Sequence, residues 1–245
     1  MNERHGAGSR SMSSWLGQAD QRVRPATWAI ALAVLVITNG AARAQTQPPA
    51  SPTTPAVTAP SQFDLELVKS LRAGGLAIIM RHAASDPDKA DATPLAFKNV
   101  RVQQPLTDVG QASARTFGDA LRAIGVPVGE VLTSRFNRAV QTAMLAGFRD
   151  AKPVTELTEG SLVTSPNEQR RRASALKQLA AAPLPPGMNR LLVTHRVNLM
   201  QAFGKEWFDV KEGEASVFRI DNGAYSLVAR VQIGDWARLA KVLPR

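Results

Sequence analysis

The chain has 245 residues, with 30 lysines and arginines against 20 acidic residues, a net charge of +10 and no cysteine. The lack of cysteine excludes disulfides, a lipid-modified N-terminal cysteine and thiolate metal sites, so the fold must rest on an apolar core. The positive charge favours anionic partners; nucleic acid is a poor candidate, because aromatic residues make up only 5% of the chain and the basic residues are scattered.

Arg22 and Arg24 precede an apolar run from Ala26 to Thr38, followed by small residues ending Ala42-Arg43-Ala44. That order is the layout of a secretory signal peptide with cleavage after Ala44. The competing reading, a membrane anchor, would need about 20 apolar residues, so no stable membrane span is expected. Residues 1–44 hold five arginines and two acidic residues; the remainder keeps 25 basic against 18 acidic, a net charge of +7. Residues 45–61 carry prolines at 48, 49, 52, 55 and 60 with no apolar period, and read as a disordered or extended leader. Residues 62–245 suffice for one domain, and the mature product is expected in the periplasm or secreted.

Within that domain, Phe63, Leu67, Val68 and Leu71 recur at helical spacing, as do Ala114, Phe117, Leu121 and Ile124, the latter group with Thr107 as its cap. Val140, Ala143, Met144 and Gly147 mark a third helix, opened by Ser134, and Ser165-Pro166-Asn167-Glu168 starts a fourth with a capping box and proline in the first turn. Between the helices lie short apolar runs at 76–80, Glu130 to Thr133, Pro153 to Glu156, and 191–194. Alternating strands and helices imply a mainly parallel sheet with helices on both faces, a three-layer α/β sandwich. At the C-terminal end, Ser216/Phe218/Ile220 and Tyr225/Leu227/Ala229/Val231/Ile233 follow a period of two around Asp221-Asn222-Gly223, predicting a hairpin and a mixed sheet.

Two histidines remain after residue 44, and each follows a strand: Arg81-His82 after Leu76–Met80, and His195-Arg196 after Leu191–Thr194. Ligands of open α/β sheets bind beyond the carboxyl ends of the strands. A strand ending at Ser134 and turning into a helix would bring Arg138 to the same edge, so that Arg81, Arg138 and that helix's amino end converge on one tetrahedral anion. Guanidinium groups suit phosphate because their planar donors can hold two oxygens at once.

Arg81-His82-Ala83, Leu106-Thr107-x-x-Gly110, the stretch Ser134 to Ala143, and Val193-Thr194-His195 resemble, in order, the motifs of the histidine phosphatase (phosphoglycerate mutase-like) superfamily. Each motif alone is weak, and a lone strand-end histidine is more often structural than catalytic. The four in order, with Arg-Ala-x-Gln-Thr-Ala among them, are specific. The resemblance implies a phosphomonoester phosphatase in which His82 accepts the phosphoryl group while Arg81, Arg138 and His195 bind its oxygens. A mutase passing the group to a second hydroxyl, and a non-catalytic phosphate-recognising module, are the rival readings. The substrate expected is a small phosphorylated molecule, with no cofactor and no metal; the sequence does not fix the oligomeric state.

The resemblance also implies a carboxylic acid after the third motif, where Glu156 and Glu159 are the candidates; Asp86 and Glu214 are others, and some relatives lack an obvious acid. Two departures stand out: Ala83 replaces the common glycine after the nucleophile, and Arg196 replaces the glycine after the second histidine. Arg196 either adds a phosphate contact or projects outward. Asp86, Asp88 and Asp91 lack calcium-loop spacing and read as a polar loop. The cluster Arg170-Arg171-Arg172 reads as a solvated helix face.

Overall fold

The computed structural model describes residues 60–92, 96–160 and 164–243. The expected signal segment lies outside these residues, as does the expected leader except for Pro60 and Ser61. Ser61 caps the first helix, α1 (Gln62–Ala73): its Oγ accepts from the Asp64 N–H at 3.1 Å while the Asp64 carboxylate accepts from the Ser61 N–H, completing a capping box. Leu67, Val68 and Leu71 face the core as expected, but Phe63 is 56% exposed. The inward position in that first turn goes to Asp64, which Arg238 Nη1 holds at 2.6 Å.

A six-stranded mixed sheet forms the middle layer. Its strands are β1 (Leu76–Arg81), β2 (Val128–Ser134), β3 (Lys152–Val154), β4 (Asn189–Thr194), β5 (Ala215–Asp221) and β6 (Ala224–Val231), in the order β3-β2-β4-β1-β5-β6. The first four are mutually parallel, and β5 and β6 run antiparallel at one side. Leu76, Ile78, Met80, Val131, Leu191 and Val193 point to one face, where they meet α1, α2 (Asp108–Ile124), α3 (Asn137–Leu145) and α6 (Trp236–Leu239). Ala77, Ile79, Leu132 and Leu192 point to the other, where α4 (Pro166–Ala181) and α5 (Arg196–Phe203) pack. Burial on both faces explains why the central strands read as unbroken apolar runs. Each fully buried aliphatic side chain contributes roughly 1.5–3 kcal/mol.

The hairpin forms as expected. Asn222 and Gly223 have φ of 47° and 80° between the paired residues Asp221 and Ala224, the positive values a two-residue type I′ turn requires. The period of two in β6 does not run through, however. Pairing passes from Phe218↔Leu227 to Val217↔Ala229, leaving Val228 as a bulge. Tyr225 therefore packs on Phe218 on one face while Ala229 and Val231 join the other core, and Ile233 lies beyond the strand.

Three other expectations need correction. The strand expected over Pro153 to Glu156 ends at Val154 and gives way to a 3-10 turn, Thr155–Leu157, because Leu157 turns inward to complete burial. Ser134 ends β2 instead of capping α3, whose cap position is Phe136. Ser165 does cap α4 through the Glu168 N–H at 3.2 Å, with Pro166 in the first turn, but the Glu168 carboxylate turns to Arg171 and Arg172. Those arginines are accordingly less free than a solvated face would be, and Arg172 also donates to the Thr158 carbonyl at 2.6 Å.

The Leu106-Thr107-x-x-Gly110 segment wraps around one carbonyl. Ala84 O accepts from the Thr107 N–H at 3.0 Å, Thr107 Oγ1 caps α2 through the Gly110 N–H at 3.0 Å, and a Cβ on Gly110 would lie 2.0 Å from Ala84 O. Only glycine permits that approach, which holds the chain just after His82. Gly110→Ala should therefore lower stability by about 1–3 kcal/mol through overpacking, although alanine favours helix. Denaturant unfolding that shows no loss would contradict this packing.

Candidate active site

The carboxyl ends of β1, β2 and β4 supply the site. His82 and His195 each sit one residue beyond a strand, 5% and 1% exposed, with ring centroids 5.1 Å apart. The His82 N–H donates to Thr194 O at 3.0 Å, and the Ala83 N–H donates to Thr142 Oγ1 at 3.1 Å, while Thr142 Oγ1–H donates to Arg138 O at 2.7 Å. The Arg-Ala-x-Gln-Thr-Ala stretch thus supplies a charged side chain and a clamp on the backbone after His82.

The position of the His82 ring settles its tautomer. Its Nδ1 lies 2.8 Å from Ala83 O, and a carbonyl can only accept, so Nδ1 carries the proton. Nε2 keeps its lone pair and makes no hydrogen bond among the described residues. Burial first, then the charges of Arg138 and Arg81, pull the His82 pKa down to about 3 against the opposing effect of the Ala83 carbonyl. The ring is therefore neutral at physiological pH. His195 is also held well below the ordinary histidine range, by burial foremost. Its Nε2 lies 2.7 Å from Ser134 Oγ and its Nδ1 lies 3.5 Å from Glu159 Oε1, while Phe136 stands edge-on to the ring at 5.3 Å.

Arg138 is 2% exposed and lies over the Phe136 ring at 4.3 Å. Nη1 reaches both oxygens of Asp91, at 2.8 and 3.1 Å, and Nη2 reaches Glu159 Oε1 at 2.6 Å. Arg81 donates to Val210 O at 2.9 Å and pairs with Glu212 at 3.3 Å. The buried Nε groups of both arginines have no hydrogen-bond partner. Leaving charged donors unsatisfied is costly. Arg81, His82, Arg138, Glu159 and His195 line one cavity of about 420 Å³, together with Ser85, Gln104, Arg196 and Glu212.

The four residues expected to hold phosphate are thus together. The amino end of α3 does not join them, because the Arg135, Phe136 and Asn137 N–H groups donate to Thr158 Oγ1, Ser134 Oγ and Gln103 Oε1. Of the carboxylates, Glu159 is in the cavity, and burial raises its pKa against the pull of Arg138. Glu156 lies outside, on the 3-10 turn, and faces Arg171 at 3.4 Å. Asp86 accepts from the Asp88 N–H and pairs with Lys89, and the buried Glu214 is tied to Gln232 and Arg230. Asp91 is no solvated loop residue but an ion partner of Arg138. Among the described residues no three His, Asp or Glu side chains gather into a cation site, and no helix is long and apolar enough to cross a membrane. Asp91, Glu212 and the Ser134 contact to His195 had no local sequence pattern to reveal them.

Residues 77–161 match the histidine phosphatase superfamily (branch 1) family model, a span that contains three of the four motifs and ends before His195. No curated protein matches the sequence significantly. Among solved structures, the product of a Mycobacterium tuberculosis open reading frame has a TM-score of 0.50 at 18% identity, covering 64% of this chain and 97% of that one, which supports the same fold. The protein histidine phosphatase SixA complexed with tungstate gives 0.49 at 19% identity over 65% of this chain and 98% of its own. A phosphoserine phosphatase mutant from Entamoeba histolytica with bound phosphoserine gives 0.49 at 13% over 64% and 97%. The span that matches the histidine phosphatase superfamily model thus carries three of the four motifs and lies on this mixed sheet, so over residues 77–161 the chain is similar to that superfamily.

Proposed function

We propose that the protein is an exported phosphomonoester phosphatase that works through a phosphohistidine at His82. The observation that carries this reading is the His82 ring: neutral, with its proton fixed at Nδ1 by Ala83 O, and its free Nε2 in a cavity shared with two arginines. Nε2 attacks phosphorus as the bridging P–O bond breaks, and the leaving oxygen takes a proton from Glu159. Water then attacks the phosphohistidine, Glu159 recovers a proton from it, and the N–P bond breaks to return neutral His82. Splitting one displacement into two lowers each barrier. Arg81, Arg138 and His195 stabilise charge on the equatorial oxygens.

Glu159 is the general acid in this scheme because burial favours its protonated form and because it alone of the proposed carboxylates lines the cavity. That placement also favours catalysis over mere phosphate recognition. Export rests on the order of charged, apolar and small residues between Arg22 and Ala44.

Four outcomes are expected. Phosphate release from a panel of phosphomonoesters should fall by roughly 10³-fold or more in His82→Ala; activity that survives this substitution would refute the nucleophile. Activity needs neutral His82, available above about pH 3, and protonated Glu159, so it should decline as pH rises through the raised Glu159 pKa. Glu159→Gln should cost about 10²-fold or more on alkyl phosphates, less on p-nitrophenyl phosphate, and should abolish that alkaline decline; a variant with the wild-type profile would exclude Glu159 as the acid. N-terminal sequencing of the mature protein should begin at Gln45, and an intact N-terminus would contradict processing.

A further inference from the structure

The cavity is larger than a phosphoryl group needs: about 420 Å³ falls within the range of pockets that enclose a small organic ligand. The proposed reaction assigns His82, Arg81, Arg138 and His195 to the phosphate, and Arg196 lines the same cavity. Arg196 is exposed and makes no ion pair or hydrogen bond among the described residues; its guanidinium carbon stands 5.6 Å over the ring of Phe208, itself 65% exposed.

Its position is electrostatically unfavourable for the protein alone. Arg196 is the first residue of α5, where the helix dipole disfavours a cation. It also sits close enough to Arg81 for its charge, after burial and against the pull of Glu212, to help depress the Arg81 pKa. The other cavity arginines have carboxylate partners, Glu212 for Arg81 and Asp91 with Glu159 for Arg138. Arg196 has none among the described residues, while Glu212, which lines the same cavity, is already engaged by Arg81 and by Ser85 Oγ at 2.8 Å.

We infer that Arg196 forms a second anion subsite, so that the preferred substrates are phosphomonoesters carrying another anionic group, a carboxylate or a second phosphate, a short chain away from the scissile phosphate. The inference rests on the phosphatase reading and narrows its substrate class. An exposed guanidinium on an aromatic face can turn toward such a group and bind it with two parallel hydrogen bonds.

Two matched substrate pairs test it: glycerol 3-phosphate against 3-phosphoglycerate, and propanediol monophosphate against propanediol bisphosphate. The wild type should favour the two-anion member of at least one pair by tenfold or more in kcat/KM, and which pair shows the effect identifies the second group as carboxylate or phosphate. Arg196→Ala should erase that ratio and Arg196→Lys should retain part of it. No preference in the wild type, or a preference that survives Arg196→Ala, overturns the subsite. Calorimetric binding of the same pairs to His82→Ala, with and without Arg196→Ala, reads the subsite without turnover. A loss of discrimination there supports it even if the phosphatase reading fails, and equal binding of both members overturns it.

Discussion

The hydrogen bond from His82 Nδ1 to the carbonyl of Ala83 is the constraint on which the site depends. It joins a side chain to the backbone of the next residue, so it survives only if that short segment is rigid. The contacts that hold it include the His82 N–H on Thr194 O, the Ala83 N–H on Thr142 Oγ1, and the close approach of Gly110 to Ala84 O. They come from β4, α3 and α2, which explains why motifs so far apart in the chain serve one ring. With the proton fixed at Nδ1, burial and two guanidinium groups disfavour a second proton, and the remaining lone pair is confined to Nε2.

The sheet order makes the convergence possible. Parallel β1, β4 and β2 are neighbours, so the residues following them, His82, His195 and the Ser134 turn, emerge side by side. Helices lie on one face after β1 and β2 and on the other after β3 and β4, and the crevice opens where their directions change. The Asp91 and Glu159 carboxylates then meet Arg138, which is too deeply buried to remain unpaired without cost. In the proposed reaction an incoming phosphate has to share or displace those contacts.

Much of this was legible in the sequence, because it rests on local pattern. The apolar runs before His82 and His195, the Thr107 cap and the Asn222-Gly223 turn each follow from a few adjacent residues. What was not legible depends on how segments turn and meet. Glu156 and Glu159 are equivalent in the sequence; the 3-10 turn over Thr155–Leu157 sends the first outward to Arg171 and the second inward to Arg138. Asp91 finds Arg138 across 47 residues, a distance no periodicity spans. The bulge at Val228 reverses the facing of β6 within a sequence whose alternation looks continuous. Ser134 offered a helix cap by composition, yet it ends β2, and its hydroxyl both accepts from the Phe136 N–H and meets His195.

The central claim is that a fixed tautomer makes one nitrogen of one histidine the phosphoryl acceptor. The most direct measurement is the position of phosphate in the covalent intermediate, trapped by rapid quench from a phosphomonoester and located by peptide mass spectrometry with phosphorus–nitrogen NMR coupling. The account predicts a single phosphohistidine, acid-labile and base-stable, on Nε2 of His82. Phosphate on Nδ1 of His82 or on His195 would contradict it.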